Sequence, residues 1–151
     1  MDCMAAGSEP PAALMEKGES LMQKYTPVLD FEGWRVAMLR HFDGTDPAHF
    51  AKVERHNTSN EVFILTEGSA DLIVCENGDR PGRPYVFPMQ RNVAYNIRKS
   101  VWHHVVMSKD AHIVLFEKTE VSKENSDYHY FDEKEKKEIR ERFRKELAGS
   151  E

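Results

Sequence analysis

Cysteine is scarce in this chain. Cys3 and Cys75 are the two in 151 residues, one near the start and one closing an apolar run, so no disulfide framework holds the fold and a reducing compartment is implied. Cys75 is expected as a small buried hydrophobe and Cys3 as a loose thiol. Long hydrophobic runs are missing as well; none approaches the roughly 20 residues that a membrane span needs. The opening MDCMAAGSEPPAALMEKGES has neither a basic start nor an apolar core, which argues against a secretion signal and for the cytoplasm. Positive charge is in the minority, 21 Lys and Arg against 26 Asp and Glu, for a formal net charge of -5. That is the wrong sign for a broad phosphate-neutralising face, so nucleic acid is not an expected partner. Internal repeats are absent, and so is any long amphipathic helix before the C-terminus.

What is present is a folding chain. With 40% hydrophobic and 31% charged residues, it has the composition and length of one globular domain. Residues 1–25, rich in Gly, Ser and Pro, are expected as an arm or short helix, residues 26–130 as the folded body, and 131–151 as a C-terminal helix. The body consists of short apolar runs closed by turn residues: Trp34–Arg40, Glu61–Glu67, Ser69–Glu76, Tyr85–Met89, Asn92–Ile97, Val101–Ser108 and Ala111–Lys118. This pattern predicts an all-β fold. Gly68 is expected as a tight hairpin and Asn77–Pro84 as a longer connection, both joining antiparallel neighbours. Runs such as Val62-Phe63-Ile64-Leu65 and Leu72-Ile73-Val74 are apolar on both strand faces, so both faces require cover. A second sheet, the terminal segments or a second subunit could supply it, and a homodimer is the expectation. Asp132 and Glu135 form a helix-start signal, and Ile139, Phe143 and Leu147 recur every four residues, predicting a helix over Asp132–Leu147 with an apolar docking stripe.

The chemistry concentrates in Glu54-Arg55-His56-Asn57-Thr58-Ser59-Asn60-Glu61, which with Gly68 reads E-x-H-x4-E-x6-G. Residues 54 and 56 share strand parity and so face one side, and a short loop lets the next strand bring Glu61 toward them. Acids and an imidazole converging inside an apolar sheet are costly unless they bind a metal, each other or a substrate. The plain alternative is a coincidental string on a wet hairpin. In Trp102-His103-His104 the two histidines point to opposite faces, so at most one enters a pocket, and His103 is favoured. Trp102 is expected as packing. His41, His49, His112 and His129 lack partners at ligand spacing, and Tyr128-His129-Tyr130 is expected as a plain loop packed on the body.

The spacing from Glu54 to Gly68 resembles the first cupin motif, H-x-H-x(3 to 4)-E-x6-G, with Glu54 where the first histidine usually stands. Of the second motif only His103 remains. Together with Glu54-Arg55-His56-x2-Ser59, Asn96, Trp102-His103-His104 and Ser126-Asp127, the stretch from Glu54 to Glu135 resembles the ureidoglycolate lyases. That resemblance implies a single-domain cupin-type β-barrel or jelly roll, homodimeric, that splits ureidoglycolate into glyoxylate and urea late in allantoin degradation. It implies Glu54, His56 and His103 as catalytic candidates and His56, Glu61, His103 and Glu54 as ligands of one divalent metal ion, Zn, Ni, Mn or Fe. An anionic small-molecule substrate needs a cation, for which Arg98, Lys99 and Arg55 are the candidates near the motifs. Two other classes share the four-group pocket: a metal-dependent cupin isomerase or dioxygenase, and a non-catalytic small-ligand binder.

Overall fold

A computed structural model describes residues 8–148. Its strands are β1 (Tyr25–Phe31), β2 (Trp34–Arg40), β3 (Lys52–His56), β4 (Glu61–Glu67), β5 (Ala70–Cys75), β6 (Pro84–Pro88), β7 (Ala94–Ile97), β8 (His103–Met107), β9 (His112–Lys118) and β10 (Ser126–Tyr130). They form two five-stranded sheets, ordered β1-β2-β9-β4-β7 and β10-β3-β8-β5-β6, with every pairing antiparallel. The all-β expectation holds. Cys3 lies outside the described residues; Cys75 is buried, and burial pushes its thiol up to about 11. No helix among the described residues is long and apolar enough to cross a membrane.

The seven expected strands are present, two with the expected ends and five with ends shifted by a residue or two, and three more join them. β1 carries Pro27 and a register shift between Pro27 and Leu29, which an edge strand tolerates because no ladder bond is needed on its outer side. β3 holds Glu54 and His56 in the expected parity. β10 replaces the plain loop expected at Tyr128-His129-Tyr130: its polar sequence shows no apolar alternation, and its pairing along the whole of β3, from Ser126 opposite His56 to Tyr130 opposite Lys52, makes it a strand.

Gly68 is a second correction. It does not close a hairpin, because β4 and β5 lie in different sheets; the chain crosses from one layer to the other there. Glycine is required on two counts: φ is +70°, and a Cβ would stand 2.5 Å from the Ala111 Cα. The Asn77–Pro84 segment does join antiparallel neighbours, β5 and β6.

The sheets face each other across a core that includes Ala37, Leu39, Phe63, Leu65, Leu72, Val105, Ile113 and Leu115. A second core forms on the outer side of the β5-containing sheet, where Phe50, Val53, Ile73, Trp102 and Val106 meet Ile139 and Leu147. The C-terminal segment is therefore the cover that β5 needs. Its helix is shorter than expected. α1 (Glu133–Arg140) starts at Asp132 with the predicted capping box, but the chain then turns and ends in a 3₁₀ segment, Lys145–Ala148. The Arg142 and Phe143 N–H groups already turn to the carbonyls three residues back, and Arg144 then anchors the chain on Asp71, fully buried on β5. The Arg144 backbone N–H donates to its Oδ2 at 3.0 Å and the Arg144 Nε to its Oδ1 at 2.6 Å. An N–H committed to Asp71 cannot continue the helical ladder.

Candidate active site

Between the sheets lies a cavity of about 490 Å³, with one wall from each layer. Inward positions of β3, β8 and β10 supply Lys52, Glu54, His56, His103, Ser126 and Tyr128. Inward positions of β1, β2, β4 and β9 supply Tyr25, Arg35, Glu61, Phe63 and Glu117. Glu54 and His103 are cross-strand partners on β3 and β8. The four residues expected to share a pocket, Glu54, His56, Glu61 and His103, do so.

Glu61 is the hub. Its Oε2 lies 2.8 Å from His103 Nε2 and 3.1 Å from His56 Nε2, and all three side chains are buried. Burial alone would raise the Glu61 pKa, but the hydrogen bonds from His103 and His56 outweigh it and hold the carboxyl at about 2. For each histidine burial opposes protonation, yet the hydrogen bond and charge of Glu61 leave the pKa above its ordinary value.

The opposite ring nitrogens fix the tautomers. His103 Nδ1 is 2.8 Å from the Val101 carbonyl, which can only accept, so Nδ1 carries a proton. His56 Nδ1 is 2.8 Å from Ser126 Oγ, whose own proton goes to the Ser122 carbonyl at 2.7 Å, so this Nδ1 also donates. Both Nε2 atoms therefore aim at a carboxylate oxygen with either a second proton or a lone pair. Two imidazoliums sharing one carboxylate satisfy this geometry. So does a cation among the lone pairs, with the Nδ1 bonds as the orienting outer layer usual for metal-binding histidines. One set of donor atoms, from Glu54, His56 and His103, lies within 4.8 Å of one another; a second, from His56, Glu61 and Glu117, does likewise. The cluster is thus able to hold a metal ion.

His104 also borders the cavity, but its ring packs on Phe50 at 5.5 Å and its Nε2 donates to the Gly44 carbonyl at 3.0 Å. Burial keeps its pKa down at about 4, so it is neutral. His103 is the histidine that meets the acids. Trp102 is buried in the outer core, its Nε1–H donating to the Gly78 carbonyl at 3.1 Å.

None of the three cations expected for substrate lines the cavity. Arg98 and Lys99 are exposed in the turn after β7. Arg55 has the opposite parity to Glu54 and His56; it pairs with Asp127 at 2.7 Å and stacks over Trp102, 4.4 Å from its ring. Proximity along the chain was a poor guide because alternation sends a strand neighbour to the other face. The cavity's cations are Arg35, Lys52 and Lys123. Arg35 is engaged by Glu117, Asp30 and the Thr119 carbonyl. Lys52 sits over the Tyr128 ring at 4.6 Å and has no carboxylate partner among the described residues. Parity could have found it, two residues before Glu54 on the same face. Glu117 was equally legible as a charge at an inward position in step with Ile113 and Leu115.

The sequence profile of the family described as ureidoglycolate lyase matches residues 12–138. The chain belongs to the ureidoglycolate lyase family. A ureidoglycolate lyase of Rhizobium etli is 36% identical over 81 residues, 51% of this chain and 49% of that protein. One from Agrobacterium fabrum is 33% identical over 85 residues, 53% of this chain and 51% of that one. The chain thus spans about half the length of these curated relatives. Among solved structures, a cupin-2 domain containing protein from Shewanella frigidimarina aligns over 71% of this chain and 87% of its own, with 18% identity and a TM-score of 0.44.

Proposed function

We propose that this protein is a ureidoglycolate lyase, acting in allantoin degradation in the cytoplasm and releasing glyoxylate and urea. The observation that carries the reading is the convergence of His56, His103 and Glu61 beside the free carboxylate of Glu54, in a chain of this family. The donor sets fit one divalent ion, Zn, Ni, Mn or Fe, which His56 would hold with two neighbours: the donor atoms of Glu54, His56 and His103 lie within 4.8 Å of one another, and those of His56, Glu61 and Glu117 likewise. Such an ion would supply Lewis acidity toward the substrate's oxygen ligands.

The chain's own residues account for the rest. Lys52 binds the substrate carboxylate, since it is the cavity-wall cation that has strand-fixed placement and no acid to neutralise it. Glu54, which has no hydrogen-bond or ion-pair partner among the described residues, takes the proton from the carbinol hydroxyl. As the C–O bond becomes a carbonyl, the C–N bond breaks and its electron pair leaves with the nitrogen. Glu54 returns the proton to that nitrogen, completing urea. Phe63, Leu115 and Val105 line the cavity and limit water around the transferring proton.

The homodimer belongs to the same reading. The outer face of the β4-containing sheet presents a lattice of half-buried apolar side chains, Val36, Met38, Val62, Ile64, Val114 and Phe116, in cross-strand register. A second copy is the cover proposed for it.

Incubating purified protein with ureidoglycolate tests the reaction. Intact urea and glyoxylate in equal amounts are expected; ammonia and carbon dioxide in place of urea would contradict a lyase.

A further inference from the structure

Glu117 is an acid on the cavity wall that takes no part in the proton transfer described above. β9 places it directly across from Glu61 on β4, and both are buried. Like charges facing each other across a ladder repel, and the structure handles the two acids differently. Glu61 receives two imidazoles. Glu117 is pinned through Oε1 alone, which accepts from the Tyr25 hydroxyl and, at 3.4 Å, from Arg35 Nη1. Arg35 is in turn fixed, its Nη2 donating to the Thr119 carbonyl at 3.0 Å. Glu117 Oε2 accepts no hydrogen bond among the described residues, leaving one unfilled acceptor on a residue that lines the cavity.

An acceptor held in this way recognises N–H donors and repels anions. It also lines the β4-containing wall of the cavity, whereas Lys52 lines the β5-containing wall. A carbamoyl-substituted 2-hydroxy acid has the complementary polarity: a carboxylate at one end, two amide N–H donors at the other, and the carbinol carbon between. We propose that Glu117, positioned by Tyr25 and Arg35, is the specificity-determining residue that binds the terminal ureido amide, so that the site selects N-carbamoyl compounds over simple 2-oxo and 2-hydroxy acids and admits them in one orientation. This rests on the lyase reading and adds the group that recognises the urea half.

Glu117→Gln tests it sharply, because Tyr25 and Arg35 both donate and so hold the amide oxygen. The new amide N–H then faces the place where the carboxylate offered an acceptor. Calorimetric binding of oxalurate, which keeps the carboxylate and ureido group but has no carbinol to cleave, is compared with binding of glyoxylate, which lacks the ureido group. Glu117→Gln is expected to weaken oxalurate at least about tenfold while changing glyoxylate less than about twofold, with the rise in KM for ureidoglycolate exceeding the fall in kcat. Tyr25→Phe, which keeps the carboxylate but loosens it, is expected to weaken oxalurate roughly threefold with glyoxylate unchanged. It stands as the second test if the first variant does not fold. Equal losses for both ligands, or none, would overturn the role of Glu117 and leave the lyase reading intact. Wild-type protein that neither cleaves ureidoglycolate nor binds oxalurate would overturn both.

Discussion

At the scale of single residues, the site is organised by which atoms are already spent. Both Nδ1 atoms of His56 and His103 are donors to fixed acceptors, so the only variable protons are at Nε2, facing Glu61. A pH dependence with a definite sign follows. In metal-free protein the two histidines hold their protons more tightly folded than unfolded. Their stabilisation is complete below their ordinary pKa of 6.5 and is lost as pH rises through the raised values. Glu61 contributes in the opposite sense: its stabilisation is present above its ordinary 4.5 and is lost as pH falls toward about 2. Thermal melting with chelator should therefore peak near pH 6.5, falling on the alkaline side as the two histidines lose their protons and on the acid side because His104, neutral in the fold down to about 4, takes up a proton on unfolding. Added divalent metal should reverse the alkaline fall, because it competes with the Nε2 protons and gains as they leave. A melting temperature rising through about pH 8 without metal would contradict the assigned hydrogen bonds. Lys52 yields a second residue-scale expectation. Lys52→Met removes the unpaired cation, so KM for ureidoglycolate should rise roughly tenfold to a hundredfold with a smaller change in kcat, measured by initial rates. An unchanged KM would place the carboxylate elsewhere.

At the scale of elements, legibility followed apolar patterning. The runs 61–67, 70–75 and 112–118 announce themselves because inward side chains must be buried, and Glu54, His56 and Glu61 are readable because polar residues at inward positions break that rule. β10 has no such pattern, since an edge strand beside a polar cavity gets its register from β3 rather than from burial, and so its sequence favours a plain packed loop over a cluster closing the pocket mouth, although Tyr128 and Ser126 line the wall. The C-terminal stripe Ile139, Phe143 and Leu147 was readable as a docking face, but not the turn after Arg140, because the group that then anchors Arg144, Asp71, is far away in sequence. The Asp71–Arg144 pair should be expensive to disrupt. Arg144→Ala removes the guanidinium and leaves a fully buried carboxylate with the residue-144 backbone N–H as its remaining donor, and a loss of about 3 kcal/mol is expected in urea unfolding. A loss below about 1 kcal/mol would mean that the C-terminal segment is held by its apolar contacts alone.

At the scale of the whole molecule, the two layers do different work. The β5-containing sheet is wrapped on its outer side by the chain's own C-terminus. The β4-containing sheet leaves its outer apolar lattice for the proposed second copy, and sedimentation should find twice the monomer mass, whereas a monomer at micromolar concentration would contradict it. The cavity between the layers exists because each sheet contributes part of one cluster: Glu61 from one, and Glu54, His56 and His103 from the other. The most direct measurement of the central claim is the rate of glyoxylate and urea formation from each enantiomer of ureidoglycolate, by wild-type protein and His103→Ala, against spontaneous decay. One enantiomer should be cleaved far faster than background, with kcat/KM falling at least about a hundredfold in the variant. Glyoxylate appearing no faster than in buffer for both enantiomers, or at equal rates with and without the His103 imidazole, would contradict the account.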